Sequence, residues 1–268
     1  MINEQELLQA AITAAINGAN EILGVYGDEF EVEYKEDKSP LTLADRRAHE
    51  AIIQVLKKTG LPVLSEEGRD IPYDLRKEWK EFWLVDPLDG TKEFIRRNGE
   101  FTVNIALIRH NIPVSGVILV PVSRLLYFAS RSAGAHKIAL DHLGPQNLAE
   151  LIKNAVKLPL QKGLKTYTVV GSRSHASAET SEFINDLRKT EPELEFISIG
   201  SSLKMCLVAE GRAHIYPRLG PTMEWDTAAG QAIVENAGGK VLQVNSKEPV
   251  QYNKPVLLNP WFVASLQQ

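Results

Sequence analysis

Apolar residues near the amino terminus recur every three or four positions, which is the period of one face of an α-helix. They are Leu7, Leu8, Ala11, Ile12, Ala15, Ile16 and Ile22. This spacing predicts an amphipathic helix from about Glu4 to Leu23, and a similar pattern predicts a second helix from Leu43 to Lys58. Asp45 falls in the first turn of that second helix, where a carboxylate interacts favourably with the helix dipole.

The middle of the chain changes to short apolar runs bounded by turn residues, a pattern typical of strands. The predicted strands are Phe82–Val85, Phe101–Ile108, Val114–Val120 and Leu125–Ala129. The segment His110-Asn111-Ile112-Pro113 predicts an antiparallel hairpin between the second and third of these.

From about residue 160 the predicted strands and helices alternate. The strands are Thr166–Val170, Leu194–Ile199 and His214–Tyr216; the helices are Ala178–Lys189, Ser201–Glu210 and a helix capped by Asp226 that continues to Glu235. Such alternation favours a layered α/β arrangement. We therefore expect one domain with two halves, residues 1–160 and 161–268.

Composition excludes some classes of function. The 268 residues are 44% hydrophobic with a net charge of −4, which supports a substantial core and argues against a nucleic-acid polymer as partner. The single cysteine, Cys206, favours a reducing cytosol and a place in the core. No apolar run approaches a bilayer span, and the acidic start is not typical of a signal peptide.

The segment from Trp83 to Thr91 carries the most informative chemistry. An apolar run leads into a predicted turn in which Asp86 and Asp89 flank Pro87 and are followed by Gly90 and Thr91. Hard cations such as Mg²⁺ bind one or two carboxylates together with water and substrate phosphate. Asp, Pro and Gly are also ordinary turn residues, so a plain turn is the alternative.

Further acids occur in similar contexts. Glu66 and Glu67 end the apolar run Leu61–Leu64, and Asp226 opens an alanine-rich helix. Each has an ordinary explanation, a solvated loop for the glutamates and a helix cap for the aspartate. Two neighbouring strands would, however, bring Glu66, Asp86 and Asp89 to one sheet edge.

Together these residues resemble the inositol monophosphatase superfamily of Mg²⁺-dependent, lithium-sensitive phosphatases. The resemblance rests on Asp86-Pro87-Leu88-Asp89-Gly90-Thr91, on Glu66-Glu67 and on Trp225-Asp226-Thr227-Ala228-Ala229, and it extends from Asp45 to the last helix. It implies a mixed α+β or α/β fold, the layered αβαβα sandwich shared with fructose-1,6-bisphosphatase, with the site between the two halves.

Other segments are similar to the 3'(2'),5'-bisphosphate nucleotidase branch. Inositol phosphatases usually continue the acidic segment with Thr-Asn-Phe, whereas this chain has Lys92-Glu93-Phe94. The branch implies hydrolysis of the 3'-phosphate of adenosine 3',5'-bisphosphate to AMP and phosphate. It also implies action on 3'-phosphoadenosine 5'-phosphosulfate and a role in sulfur assimilation or nucleotide recycling. An inositol monophosphatase and a non-catalytic metal- or nucleotide-binding protein are the alternatives.

The resemblance also implies roles for individual residues. Two or three Mg²⁺ ions are held by Glu66, Asp86, the Leu88 carbonyl, Asp89 and Asp226, with Asp86 shared between two ions. Thr91 and Asp45 act on the metal-activated water that attacks phosphorus. The resemblance places Glu66, Leu88, Asp89, Gly90, Thr91 and Asp226 in the substrate-binding site, with the backbone amides of Gly90 and Thr91 on the phosphate.

A second phosphate needs cationic contacts of its own. The candidates for substrate binding in the carboxyl-terminal half are His175, Ser202, Lys204 and Arg218, with Arg173 beside His175. For Lys204 the ordinary alternative is a solvated helix charge. We expect a cytoplasmic enzyme that acts on a small nucleotide bisphosphate, with a monomer favoured and peripheral association with the inner membrane left open.

Overall fold

The computed structural model describes five stretches of the chain. They are residues 2–27, 32–34, 40–160, 164–172 and 177–266. The α-helices of these stretches are α1 (Glu4–Tyr26), α2 (Leu43–Leu56), α3 (Tyr73–Arg76), α4 (Thr91–Ile95), α5 (Leu148–Asn154), α6 (Ala178–Thr190), α7 (Leu203–Glu210) and α8 (Glu224–Asn236). Short 3-10 helices cover Lys57–Thr59 and Glu66–Gly68.

Fourteen strands are found in these stretches. They are β1 (Val32–Tyr34), β2 (Pro40–Thr42), β3 (Val63–Ser65), β4 (Glu81–Asp89), β5 (Thr102–Arg109), β6 (Ile112–Val120), β7 (Leu125–Ser130), β8 (Gly134–Ala139), β9 (Val156–Lys157), β10 (Thr168–Ser172), β11 (Glu195–Ile199), β12 (Ile215–Arg218), β13 (Gly239–Gln243) and β14 (Phe262–Leu266). Besides the β1–β2 pair they form a seven-stranded and a five-stranded sheet.

The seven-stranded sheet follows chain order from β3 to β9 and is antiparallel except for the parallel pair β3–β4. Both of its faces are covered, because alternate residues of β4 enter different clusters. Trp83 and Val85 pack in the cluster that contains α1 and α2. Phe82 and Leu84 pack in the cluster that contains α7 and α8. A strand covered on both faces is expected to be almost continuously apolar, as this one is.

The five-stranded sheet has the order β11-β10-β12-β14-β13. Strand β10 lies between β11 and β12, and all three are parallel. The connection β10-α6-β11 therefore crosses the sheet in one direction, and the connection β11-α7-β12 crosses it in the other. Right-handed crossovers therefore place α6 and α7 on opposite faces of this sheet. Since α7 and α8 share one cluster with both sheets, they form the layer between them. The result is the expected αβαβα order of layers, which confirms the fold class.

Helix α8 packs against β6 at a glycine. A Cβ atom added to Gly116 would lie 2.4 Å from the carbonyl oxygen of Ala229 and 2.9 Å from the Cβ of Ala232. The small residues of α8 therefore allow close approach of a helix to a strand. This contact fixes the position of the helix that carries Asp226.

We expect Gly116→Ala to destabilise the protein by about 3 kcal/mol, the upper end for overpacking, because the contact is with backbone. For a chain of this size the melting temperature should fall by roughly 6–12 °C. Gly24→Ala is the matched control, since nothing lies within 4 Å of its added Cβ. Thermal unfolding of both variants checks this, and an unchanged Tm for Gly116→Ala would contradict the packing described.

Three local predictions were wrong. The predicted turn at Asp86–Asp89 is the end of β4, which continues with a register shift. Helix α7 starts at Leu203 and not at Ser201, because Ser201 has a φ of 54°. Helix α8 starts at Glu224, so Asp226 is its third residue and Met223, not Asp226, is the N-cap.

Two other expectations concern single features. Cys206 is buried in α7, as predicted. The β5–β6 hairpin is confirmed, with His110 and Asn111 at its turn, both at positive φ. Across the described stretches, the helices are too short or too polar to cross a membrane.

Candidate active site

The parallel pair β3–β4 brings the first acids together. Ser65 is in register with Val85, so Glu66, which follows the end of β3, lies beside Asp86 of β4. Asp86 is buried, and its Oδ1 accepts a hydrogen bond of 3.1 Å from the N–H of Leu88. The expected meeting of these acids at one edge is therefore observed.

A bulge in β4 positions the second aspartate. Asp86 pairs with Asn104 and Asp89 with Thr102, so three steps along β4 match two steps along β5. Pro87 lies in the extra segment, where its lack of an N–H donor is tolerated. The bulge places Asp89 at the cavity described below while Asp86 stays buried beneath it.

Asp226 reaches the same region from α8. Its Oδ2 accepts a hydrogen bond of 2.9 Å from the backbone N–H of Met223, as an acid at the third helical position commonly does. Asp226, which the sequence suggests as the N-cap, thus lies inside the first turn and accepts a hydrogen bond from the backbone N–H of the actual N-cap, Met223.

These carboxylates repel one another. Burial raises the pKa of Asp86 well above its usual value, and the neighbouring charges raise it further. Those charges are Glu66, Asp89, Asp226 and Asp45. Burial and the charge of Asp89 likewise raise the pKa of Asp226, against the opposing effect of the Met223 N–H. Asp45, from the first turn of α2, thus belongs to the same electrostatic cluster.

The donor set fits a hard divalent cation. All of these side chains offer oxygen atoms, which Mg²⁺ and Ca²⁺ prefer. Across the described residues, no three His, Cys, Asp or Glu side chains already form a closed metal-binding group. The charges of the acids repel one another, which raises the pKa of Asp86. A bound cation would relieve that repulsion.

A cavity of about 530 Å³ opens beside the acids. Glu66, Asp89, Gly90, Thr91 and Asp226 are among its lining residues. Gly90 has a φ of 96°, a conformation that L side chains rarely adopt, and Thr91 is the first residue of α4. The start of α4 therefore lies at the cavity together with the carboxylates.

Cationic side chains line the same cavity. Lys204 is only 7% exposed, and its ammonium donates to the carbonyl of Ser201 and lies 5.7 Å from the ring centre of Tyr216. Burial lowers the pKa of Lys204 to about 8, against the raising effect of Asp89. Arg218 donates to the carbonyl of Pro221 at 2.6 Å, while its buried Nε has no hydrogen-bond partner among the described residues.

The structure thus gathers most of the residues predicted from the sequence around one cavity. His175 and Arg173 lie outside the described residues. Ser202 lines the cavity, but its hydroxyl also bonds to protein groups. The solvated-charge alternative for Lys204 is excluded by its burial.

Sequence reasoning missed three polar residues of the site. Asn104 and Thr102 lie within an apolar run that predicts only a strand, yet both are buried beside Asp89. Glu93 is 8% exposed and lines the cavity. Its only signal in the sequence is the departure from Thr-Asn-Phe.

Residues 3–266 match the model of the inositol monophosphatase family. The chain belongs to this family. Its members are generally metal-dependent phosphatases, in agreement with the donor set at the cavity.

Several similar proteins have the same name within this family. The chain is 44% identical over 266 residues to a protein named 3'(2'),5'-bisphosphate nucleotidase CysQ from Escherichia coli (strain K12), covering 97% of this chain and all of the relative. The proteins of that name from Shigella flexneri and Haemophilus influenzae are 44% and 36% identical. The match covers 97% of this chain in both cases, and 100% and 92% of the two relatives.

Solved structures of this fold are similar to the chain over nearly its whole length. The crystal structure of CysQ from Bacteroides thetaiotaomicron, described as a bacterial member of the inositol monophosphatase family, has a TM-score of 0.91 and 50% identity. That match covers 99% of this chain and 98% of the solved one. The extragenic suppressor protein suhB from Bartonella henselae, at 24% identity and a TM-score of 0.75, has the same fold; the match covers 97% of this chain and 94% of the solved one.

Proposed function

We propose that the protein is a metal-dependent 3'(2'),5'-bisphosphate nucleotidase that converts adenosine 3',5'-bisphosphate to AMP and phosphate. The observation that carries this proposal is that one cavity is lined both by oxygen-donor acids and by Lys204 and Arg218. A substrate with two phosphates needs both sets. The names of the relatives that cover nearly the whole chain support the same activity.

We assign the cation ligands to the acidic cluster. Glu66, Asp86, Asp89, Asp226 and the carbonyl of Leu88 would hold two or three Mg²⁺ ions. When bound, these ions supply positive charge to the transferring phosphoryl group and lower the pKa of water. The buried carboxylates fit this role because their mutual repulsion is relieved only by a cation or a proton.

The remaining assignments concern the water and the phosphates. Thr91 and Asp45 would orient the attacking water and accept its proton, since Thr91 lines the cavity and Asp45 is buried within the electrostatic reach of Asp86. The backbone amides of Gly90 and Thr91 would bind the scissile phosphate. Lys204 and Arg218 would bind the second phosphate, and 3'-phosphoadenosine 5'-phosphosulfate would fit the same contacts with a sulfated group.

The second-phosphate assignment predicts a substrate-dependent effect. We expect Lys204→Ala and Arg218→Ala to raise KM for the bisphosphate by roughly 10-fold or more, because a hydrogen bond to a charged group contributes about 1.5–3 kcal/mol. KM for 3'-AMP, which lacks the 5'-phosphate, should change little. Steady-state kinetics on both substrates measure this, and equal effects on the two would remove these residues from the second-phosphate site.

The lowered pKa of Lys204 predicts a pH dependence. With a pKa of about 8, the ammonium is charged below pH 8 and loses its proton as the pH rises through that value. Because kcat/KM reports groups of the free enzyme, kcat/KM for the bisphosphate should fall above pH 8. The Lys204→Arg variant should keep its positive charge above pH 8, so its kcat/KM should not decrease there. Identical pH profiles for the wild type and Lys204→Arg would assign the fall to another group.

The proposed function is tested by comparing two substrates. Phosphate release with Mg²⁺ is measured from adenosine 3',5'-bisphosphate and from inositol 1-phosphate, each with and without lithium. We expect a strong preference for the nucleotide and inhibition by lithium. A preference for inositol 1-phosphate would leave the metal site in place and overturn the substrate. Without release from either, the non-catalytic alternative would be favoured.

A further inference from the structure

Two serines before α7 form hydrogen bonds that link Asp89 of β4 to Asp226 of α8. We refer to Ser201 and Ser202 as the serine pair. The Oγ atoms of Ser201 and Ser202 lie 2.7 and 2.8 Å from Oδ2 of Asp89. Ser202 Oγ also lies 2.9 Å from the backbone carbonyl of Asp226. The pair therefore connects β4 to the first turn of α8.

The contacts of Asp89 are divided unequally between its two oxygens. Both serine hydroxyls bond to Oδ2, and the amide of Asn104 adds a longer contact of 3.4 Å to the same atom. Within the described residues, Oδ1 of Asp89 receives no hydrogen bond. Because Asp89 lines the cavity, this pattern anchors one oxygen to protein and keeps the other for a ligand.

The hydroxyl of Ser202 is already satisfied by protein. It accepts a hydrogen bond of 2.8 Å from Asn104 Nδ2 and has two acceptors, Asp89 Oδ2 and the Asp226 carbonyl, for its single proton. A serine hydroxyl has one donor and two acceptor positions, so little capacity remains for substrate. Ser202 therefore contacts both aspartates, Asp89 at its carboxylate and Asp226 at its backbone carbonyl.

The backbone of the pair is held in an unusual conformation. Ser201 has a φ of 54°, in the left-handed region that a residue with a side chain rarely adopts. Its hydroxyl lies 2.6 Å from Thr102 Oγ1 and 3.1 Å from the carbonyl of Asp89. Such conformations persist where surrounding contacts fix them and cluster at functional sites. Here the contacts come from β4 and β5.

We propose that Ser202 is a positioning residue that orients the Asp89 carboxylate for divalent-cation binding and ties it to the start of α8. The inference rests on the proposed function, which assigns Asp89 and Asp226 as cation ligands. Outer groups that hydrogen-bond to a ligating carboxylate typically change metal affinity by about 10- to 100-fold when they are removed. Ser202→Ala should therefore weaken cation binding without removing a ligand.

The test measures Mn²⁺ binding to the full chain in the absence of substrate, with free Mn²⁺ detected by electron paramagnetic resonance. We expect Ser202→Ala to raise the Mn²⁺ Kd by about 10- to 100-fold, and Ser202→Thr, which keeps the hydroxyl, to stay near the wild type. The matched control is Ser115→Ala. Ser115 is equally buried in β6 and donates to the carbonyl of Ala129, away from the acids.

Each outcome decides the inference. An unchanged Kd for Ser202→Ala, an equal loss for Ser115→Ala, or a wild type that does not bind Mn²⁺ would overturn it. If Ser202→Ala unfolds, Asn104→Ala serves instead, because it removes the donor that orients the Ser202 hydroxyl and should weaken binding in the same direction. A wild type that binds Mn²⁺ in the predicted way but hydrolyses no nucleotide would overturn only the proposed function.

Discussion

Asp86→Asn is expected to lower kcat by about 10³-fold or more, because a catalytic metal contributes several kcal/mol and each 1.36 kcal/mol is a factor of ten. Asparagine has nearly the shape of aspartate, so the variant changes charge and little else. Phosphate release at saturating Mg²⁺ measures the effect. Substantial residual turnover would contradict the proposed assignment of Asp86 as a cation ligand.

The same variant should have the opposite effect on stability. In a chelator, the buried charge of Asp86 is repelled by Glu66, Asp89, Asp226 and Asp45, and burial itself disfavours it. Removing that charge should raise the Tm of the metal-free protein. Asp141→Asn, at an exposed loop position, is the control and should change neither quantity. A variant that is both inactive and less stable in chelator would indicate that Asp86 has a structural role.

Glu224→Ala is expected to produce the largest loss of stability. Glu224 is fully buried at the first position of α8, and its carboxylate accepts three hydrogen bonds. These come from the N–H of Asn253 at 2.6 Å, the N–H of Lys254 at 3.0 Å and the Lys254 ammonium at 2.6 Å. Because the Lys254 side chain is 28% exposed, most of the cost comes from the two backbone N–H groups that lose their acceptor, at about 1–3 kcal/mol each, and we expect a total of about 3–5 kcal/mol.

The expected fall in Tm is roughly 6–20 °C, at 2–4 °C for each kcal/mol. Glu224→Gln keeps one acceptor oxygen and should fall between the wild type and Glu224→Ala. Asp74→Ala breaks the exposed Asp74–Lys77 pair and should change stability by less than about 0.5 kcal/mol. Calorimetric unfolding compares the Tm values of the three variants. If Glu224→Ala is as stable as Asp74→Ala, the stabilising role of the Glu224 hydrogen bonds is refuted.

The Glu224 contacts also link two parts of the site. Arg76, in α3, donates to Asn253 Oδ1 at 2.8 Å and to the Lys254 carbonyl at 2.7 Å. Helix α3 follows Glu66 in the chain, whereas Glu224 lies two residues before Asp226. The network therefore ties α3, which lies between Glu66 and β4 in the chain, to the start of the helix that carries Asp226.

The parts of the fold that the sequence predicts are those set by local periodicity. Helix α1 follows from its apolar stripe, and the strands β4 to β7 follow from their apolar runs. The acids at one edge could be predicted because β3 and β4 are neighbours, Glu66 directly follows β3, and β4 ends in the segment that carries Asp86 and Asp89. These features depend on residues close together in the chain.

The errors have a common physical cause. The bulge at Asp86–Asp89 depends on pairing with Asn104 and Thr102 of the next strand. The delayed start of α7 depends on hydrogen bonds from Ser201 to Asp89, 112 residues away. The early start of α8 depends on the Asn253 and Lys254 contacts to Glu224. In each case the local sequence is compatible with more than one backbone conformation. A contact with a residue distant in the chain determines which of them forms.

The measurement that tests the account most directly is identification of the products formed from adenosine 3',5'-bisphosphate. The protein is incubated with the nucleotide and Mg²⁺, and the products are separated by chromatography with 3'-AMP and AMP as standards. The account predicts AMP and one equivalent of phosphate, and no products after removal of Mg²⁺ with a chelator. Formation of 3'-AMP, or equal turnover in the chelator, would contradict it.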